Sequence, residues 1–132
     1  MSTPHMQDTS FGFRIDQDAE HGLVTQEIWG VTTPEGLADS AQALGEVCEQ
    51  TRWPRILMLV SRSDARFSPA QFIAMFEGFV TAFPYVRRIA YTLDLEAHDT
   101  EQMLLDTLAW RHQIKVGFFD DAAQARRWVT AS

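Results

Sequence analysis

The stretch that most constrains the fold of this chain is RILMLVS at residues 55–61. Its centre, ILMLV, is continuously apolar instead of alternating, which is typical of a strand buried on both faces. Such a strand requires helices over both sides of a mainly parallel sheet. We therefore expect an α/β fold in which any ligand site lies at the edge where this strand ends.

Four further segments have the character of strands. FGFRI and GLVTQEIW carry partly alternating apolar residues on either side of the polar turn DQDAEH, which predicts an N-terminal β-hairpin. RRIAYTL and IKVGFF are short apolar runs that follow polar or helical segments. The predicted strands are residues 11–15, 22–29, 55–61, 87–93 and 114–119.

Helical periodicity and capping residues place four helices between and after these strands. Thr33 and Ser68 each precede a proline at the first helical position, and Pro84 ends the second helix. The resulting order ββαβαβαβα predicts a mixed five-stranded sheet, antiparallel only at the hairpin, with helices on both faces. The predicted helices are residues 33–51, 69–83, 99–113 and 120–132.

Composition excludes several classes of function. The 132-residue chain has a net charge of −7 and one lysine, so we expect neither nucleic-acid binding nor attraction to anionic membranes. No apolar run approaches the ~20 residues that span a bilayer, and the N-terminus lacks the pattern of a secretion signal. The single cysteine, Cys48, fits a buried packing position and a cytoplasmic location. We expect residues 1–9 to be a disordered tail and residues 10–132 to form one domain.

Several segments of the chain resemble one family of small bacterial α/β domains. The segments are VTQEIWGVTTPEGLAD, RILMLV, RRIAYTL and VGFFDDAAQARRWV, and together they extend over about residues 11–130. They resemble the SpoIIAA-like (STAS-like) family. The resemblance implies no enzymatic activity and no cofactor, and it implies either an unidentified protein partner or an apolar small molecule as the ligand.

The segment SRSDARFS, residues 61–68, has two interpretations. In the anti-sigma-factor antagonists that the resemblance invokes, a serine at the start of the helix after the buried strand is phosphorylated, which makes Ser63 and Ser68 candidate phosphorylation sites. In those proteins the serine follows an aspartate and is itself followed by a glycine. In this chain Ser63 precedes Asp64, and the segment contains no glycine. The other interpretation of Ser68 is a helix cap ahead of Pro69. A nucleophilic serine is not expected, since no G-x-S-x-G elbow is present.

The same segment offers candidate binding residues. Arg62 and Arg66 lie near the start of the following helix, where they would bind a small anion or a partner's carboxylate, unless they are solvated surface arginines. The broad apolar arc of helix 69–83 either packs wholly into the core or lines a pocket. If it lines a pocket, we expect Phe72, Phe76 and Trp53 to contact an apolar ligand.

Two residues of the third helix, Met103 and Trp110, lie seven residues apart, away from its leucine face. They predict an exposed interface, with a homodimer left open, unless a neighbouring element covers them.

A metal site and general acid–base chemistry are both unsupported by the spacing of the titratable residues. Asp94, Glu96, His98 and Asp99 fit no metal-binding loop and predict a solvated acidic turn. His112 shares a helical face with core leucines and is expected to pack at the core edge.

We therefore expect a non-enzymatic binding or protein-interaction module that acts through the surface near residues 61–68. The alternative is a carrier or sensor of a small, lipid-like apolar ligand in a pocket beside helix 69–83.

Overall fold

Five strands and four helices follow one another in the part of the chain that the structure, a computed structural model, describes: residues 10–65, 68–93 and 99–131. Their order, ββαβαβαβα, is the predicted one. The elements are β1 (Gly12–Asp18), β2 (Leu23–Thr32), α1 (Pro34–Thr51), β3 (Arg55–Ala65), α2 (Pro69–Ala82), β4 (Arg88–Thr92), α3 (Asp99–His112), β5 (Lys115–Phe119) and α4 (Ala122–Thr130).

The strands form one mixed sheet in the order β1-β2-β3-β4-β5. β1 pairs with β2 antiparallel, and the other three pairs are parallel. The sequence therefore predicted the sheet correctly. The hairpin strands are longer than expected: β1 continues to Asp18, because seven of its residues pair with β2 from Leu23 to Trp29.

Helices cover both faces of the sheet, as predicted, but they divide unequally. Leu44 of α1, Phe76 of α2 and Leu105 of α3 belong to one core cluster on one face. We call this the three-helix face. On the other face, α4 contributes Ala125 and Val129 to a smaller cluster. β3 is therefore buried on both sides at Ile56 and Leu57. The next three residues, Met58, Leu59 and Val60, are only half-buried.

The strand predicted over residues 55–61 is longer than expected. β3 continues to Ala65, where it pairs with Thr32 at the end of β2. The pairing contains a β-bulge: Glu27 lies opposite Leu59, but Trp29 lies opposite Arg62. The strand therefore extends four residues beyond its predicted end at residue 61, because β2 is long enough to pair with β3 beyond the apolar run.

Thr33 and Ser68 cap their helices as predicted. The Thr33 hydroxyl accepts a hydrogen bond from the Gly36 amide at the start of α1. At α2, Ser68 and Gln71 form a reciprocal capping box, with distances of 3.2 Å and 2.8 Å. Asp121 caps α4 through the Ala123 amide. None of the helices in the described ranges is long and apolar enough to cross a bilayer.

Cys48 is a packing residue of the three-helix face, as expected. It is buried and unpaired among core side chains. Burial raises the pKa of its thiol to about 11. The thiolate, which is the reactive form, is therefore scarce at neutral pH.

Gly30 and Gly78 provide a matched test of backbone constraint. Gly30 has a φ of 82°, and a Cβ there would lie 2.0 Å from the Ser10 carbonyl oxygen. We expect Gly30→Ala to lower the free energy of unfolding by roughly 2 kcal/mol or more. Gly78 lies in α2 with open space around it, so Gly78→Ala should raise stability by about 0.5–1 kcal/mol. Urea unfolding measures both, and equal effects of the same sign would contradict this account.

The cap on α2 gives a second prediction. Ser68→Ala removes the hydroxyl that accepts from Gln71 and should lower the free energy of unfolding by about 1 kcal/mol. Ser68→Asp keeps an acceptor at the N-cap and should stay close to wild type in the same thermal or urea titration. A similar loss in both variants would show that capping is not what Ser68 contributes.

Candidate functional site

A cavity of about 150 Å³ lies between α1, α2 and the three-helix face of the sheet. Its walls are largely aliphatic and aromatic, with six polar side chains among them. The described residues that line it are Gln26, Ile28, Thr32, Leu37, Ser40, Ala41, Leu44, Ile56, Met58, Val60, Ser63, Ser68, Phe72, Met75, Phe76, Phe79, Ile89, Tyr91, Leu93 and Leu105.

α1 and α2 contact each other where Gly45 of α1 meets Phe83, the residue that follows α2. There, a methyl group on Gly45 would lie 3.0 Å from the Phe83 ring, so glycine permits the contact. Towards their N-termini the helices are separated by the cavity, which Leu37 and Phe72 border from either side. This end coincides with the carboxyl ends of the parallel strands, where α/β folds commonly place ligands.

The cavity opens beside the N-terminus of α2. Ser68 is exposed and also lines the cavity, so the space reaches the surface there. Close to it, the Ser63 hydroxyl lies 2.8 Å from the Thr32 hydroxyl, and these two side chains connect the ends of β3 and β2. The opening is therefore bordered by hydroxyl groups, while the interior is mostly apolar.

Three polar side chains lie deeper in the cavity: Gln26, Ser40 and Tyr91. Gln26 is 1% exposed, and its Nε2 donates to the Ser40 carbonyl at 2.9 Å. The Ser40 hydroxyl donates to the Leu37 carbonyl at 2.8 Å. Tyr91 is 8% exposed and stacks on Phe118 with ring centroids 5.9 Å apart. Burial raises the pKa of Tyr91 far above its ordinary value, so its hydroxyl stays neutral.

No charged side chain lines the cavity among the described residues. An isolated ion in such a space would lose its hydration without gaining a counter-charge, which is strongly unfavourable. The interior therefore suits a neutral molecule and disfavours a carboxylate, a phosphate or an ammonium group.

The structure brings four of the seven predicted binding residues together at this cavity. Ser63, Ser68, Phe72 and Phe76 all line it. Trp53 does not: it lies beside Gly22 at the start of β3, the opposite end of the strand from Ser63. The direction of β3 relative to α2 puts Trp53 at the far end of the strand from the cavity. That direction is not evident from the sequence.

Neighbouring residues of β3 alternate between the two faces of the sheet, and the bulge before Arg62 puts Ser63 on the cavity face. Ser63 faces the cavity, whereas Arg62 points to the other face of the sheet and pairs with Glu27 at 3.6 Å. Arg62 and Ser63 therefore do not form one surface, and Arg66 lies outside the described residues. The pair with Glu27 is exposed on the arginine side and contributes at most about 1 kcal/mol.

Sequence reasoning missed the cavity's deeper polar residues. Gln26 gave a usable signal, because alternation in β2 puts it on the same face as the buried Val24 and Ile28. A polar residue at such an inward position needs a hydrogen-bond partner. Tyr91 gave no such signal, since a tyrosine in a short apolar strand is commonplace.

The two apolar residues of α3 are exposed in the described structure: Met103 by 71% and Trp110 by 84%. No described neighbouring element covers them, and the interface itself stays a prediction. His112 lies at the core edge, where its Nε2 is 3.4 Å from a Glu77 oxygen of α2. The acidic turn lies outside the described residues, apart from Asp99, the first residue of α3.

A group of potential metal ligands in the hairpin turn is explained by ion pairs. Asp18, Glu20 and His21 place ligand atoms within 4.8 Å of one another. Asp18, however, already binds the His21 ring at 2.8 Å and the guanidinium of Arg126. The hydrogen bond from His21 is the main reason that the pKa of Asp18 lies below its usual value. These contacts join the hairpin to α4 and do not indicate a metal.

Comparison with known proteins supports the fold. Neither a family model nor a curated protein matches the chain. A crystal structure does: that of an uncharacterised protein of the DUF3478 family with a SpoIIAA-like fold, from Shewanella loihica PV-4. The two align with a TM-score of 0.62 at 16% identity, over 98% of each chain. Similarity at this identity shows the fold alone, and the chain accordingly has a SpoIIAA-like fold.

Proposed function

We propose that this protein binds a small, neutral, apolar molecule in the cavity between α1, α2 and the sheet. The observation that carries the proposal is the cavity itself: an apolar space of about 150 Å³ with no charged lining among the described residues. Well-packed interiors rarely leave voids of this size. A space that opens at the exposed Ser68 is accessible to a ligand from solvent.

The volume sets the size of the ligand. A cavity of about 150 Å³ lined by aliphatic and aromatic side chains holds a molecule the size of benzene. Sites for drug-sized molecules are commonly about 300–1,000 Å³. The cavity therefore suits a single ring or a short alkyl chain, and a longer molecule would extend through the opening at Ser68.

The chemistry of the lining supports binding without catalysis. Among the described lining residues there is no histidine, carboxylate, lysine or cysteine to act as a base or nucleophile. The hydroxyls of Ser40, Ser63 and Ser68 are engaged in local hydrogen bonds. These features favour a carrier or sensor over an enzyme.

Filling the cavity should weaken binding. Ala41 lines the cavity from α1, so Ala41→Phe places a ring where the ligand would lie. We expect it to weaken toluene binding by roughly tenfold or more, since tenfold corresponds to the loss of only about 1.4 kcal/mol. Toluene titrations followed by ¹H–¹⁵N correlation NMR measure the affinity.

The matched control is Ala38→Phe, which makes the same change at an exposed position of α1. It should leave toluene binding unchanged. Ala41→Leu is a smaller filler in case the phenylalanine disturbs packing. If wild type and both Ala41 variants respond to toluene alike, the cavity is not a binding site.

A second candidate function is protein interaction, which the large exposures of Met103 and Trp110 favour. We propose that this α3 patch pairs with a second copy of the chain. In a two-fold antiparallel contact between α3 helices, Met103 of each copy would meet Trp110 of the other if the two-fold axis passes midway between these positions. The surface near residues 61–68 remains a proposal for other partners, supported by the exposure of Arg62 and Ser68.

Sedimentation velocity tests the α3 patch. We expect a concentration-dependent dimer at physiological salt, which screens the net charge of −7. Trp110→Ser should weaken it roughly tenfold or more, because buried tryptophans often dominate interfaces. Gln124→Ala, at an exposed position of α4 on the other face, should have no effect. A wild-type monomer at all concentrations would contradict the homodimer.

A further inference from the structure

Two oxygen atoms on buried side chains of the cavity wall have no hydrogen-bond partner among the described residues. One is the Tyr91 hydroxyl, on a side chain that is 8% exposed. The other is Oε1 of Gln26, on a side chain that is 1% exposed. The amide orientation of Gln26 is fixed, because only its NH₂ group can donate to the Ser40 carbonyl. Oε1 is therefore left as an acceptor.

These two oxygens border the cavity and are not sealed within packed side chains. No fully enclosed polar side-chain atom in the described ranges lacks a partner. Gln26 and Tyr91 both line the cavity, so the space left to their free oxygens is the cavity itself. Buried polar groups are normally satisfied by protein, water or a ligand, so each oxygen is expected to bind a water molecule or a ligand group in the cavity.

The sheet places the two side chains in one row. Gln26 lies opposite Met58 of β3, and Met58 lies opposite Tyr91 of β4. All three project onto the three-helix face and line the cavity. With adjacent strands about 4.8 Å apart, the Gln26 and Tyr91 backbones lie roughly 10 Å from each other, with Met58 between them.

The chemistry of the two oxygens differs, and the difference specifies the ligand. Gln26 Oε1 can only accept, so it requires a donor. The Tyr91 hydroxyl, which burial keeps protonated, can donate and so requires an acceptor. A hydroxyl supplies both properties. A charged group would lack a counter-charge among the described lining residues, and a pure hydrocarbon would leave both oxygens unsatisfied.

We propose that the ligand is a neutral hydroxylated molecule, a simple phenol or a short-chain alcohol, whose hydroxyl lies at the Gln26–Tyr91 row and whose apolar body contacts Phe72 and Phe76. This inference rests on the proposed function, since it names the ligand class of the same cavity.

Phenol and toluene test this proposal, because they have nearly the same shape. Phenol carries a hydroxyl where toluene carries a methyl group. Their affinities are measured by NMR titration on wild type and on Tyr91→Phe. The hydroxyl of Tyr91 should favour phenol relative to toluene by roughly five- to tenfold, the range of a net hydrogen bond, and Tyr91→Phe should remove that preference. Gln26→Met is a second variant, expected to weaken phenol more than toluene.

The control is Tyr85→Phe, which removes the only other tyrosine hydroxyl in the chain. That hydroxyl donates to the Cys48 carbonyl at 2.7 Å and does not line the cavity. Tyr85→Phe should lower the melting temperature and leave the phenol preference intact. Tyr91→Phe, which loses no protein hydrogen bond among the described residues, should leave the melting temperature of the free protein unchanged or raise it.

The outcomes separate this inference from the proposed function. If toluene binds and the phenol preference survives Tyr91→Phe, the hydroxyl site is wrong and apolar binding stands; water would then be the partner of Tyr91. If neither compound binds, the cavity is not a ligand site and both proposals fail. Loss of the phenol preference in Tyr91→Phe, with toluene affinity retained, supports both.

Discussion

The burial of β3 between two helical layers is the constraint on which the rest of the structure depends. A strand with no wet face can lie only inside a sheet, so β2 and β4 pair on either side of it and helices cover both surfaces. Since the parallel strands follow one another in sequence order, the connecting helices α1, α2 and α3 all fall on one face. The other face is left to α4 alone. This division decides where a cavity can form, because only the crowded face has a gap between helices.

The cavity lies between the N-terminal parts of α1 and α2. Gly45 allows α1 to touch Phe83 just beyond α2, whereas at the other end the two helices stand apart over half-buried Met58 and Val60. The long apolar run is thus fully buried only in its first half. Its second half forms the floor of the cavity. The same strand therefore contributes to the core at its start and to the candidate site at its end.

Among the described residues, the charged side chains lie outside the cavity. The net charge of −7 lies on a surface that includes pairs such as Arg62 with Glu27, while the described cavity lining is uncharged. Within that neutral space, Gln26 and Tyr91 each have an oxygen without a partner among the described residues. Selectivity in the proposed site therefore comes from the placement of a few polar atoms on apolar walls, which is how small-molecule sites usually discriminate.

The sequence by itself determined the element order, the mixed five-stranded sheet and the helix caps at Thr33 and Ser68, because these depend on local periodicity and on single residues at helix starts. It also indicated Phe72 and Phe76 as cavity residues, since both lie on a wide apolar arc. Only the tertiary structure decided the rest. The bulge in β3 shifts the alternation of faces, so that Ser63 instead of Arg62 faces the cavity. Pairing across three strands brings Gln26 and Tyr91 into one row, and no spacing along the chain encodes that proximity.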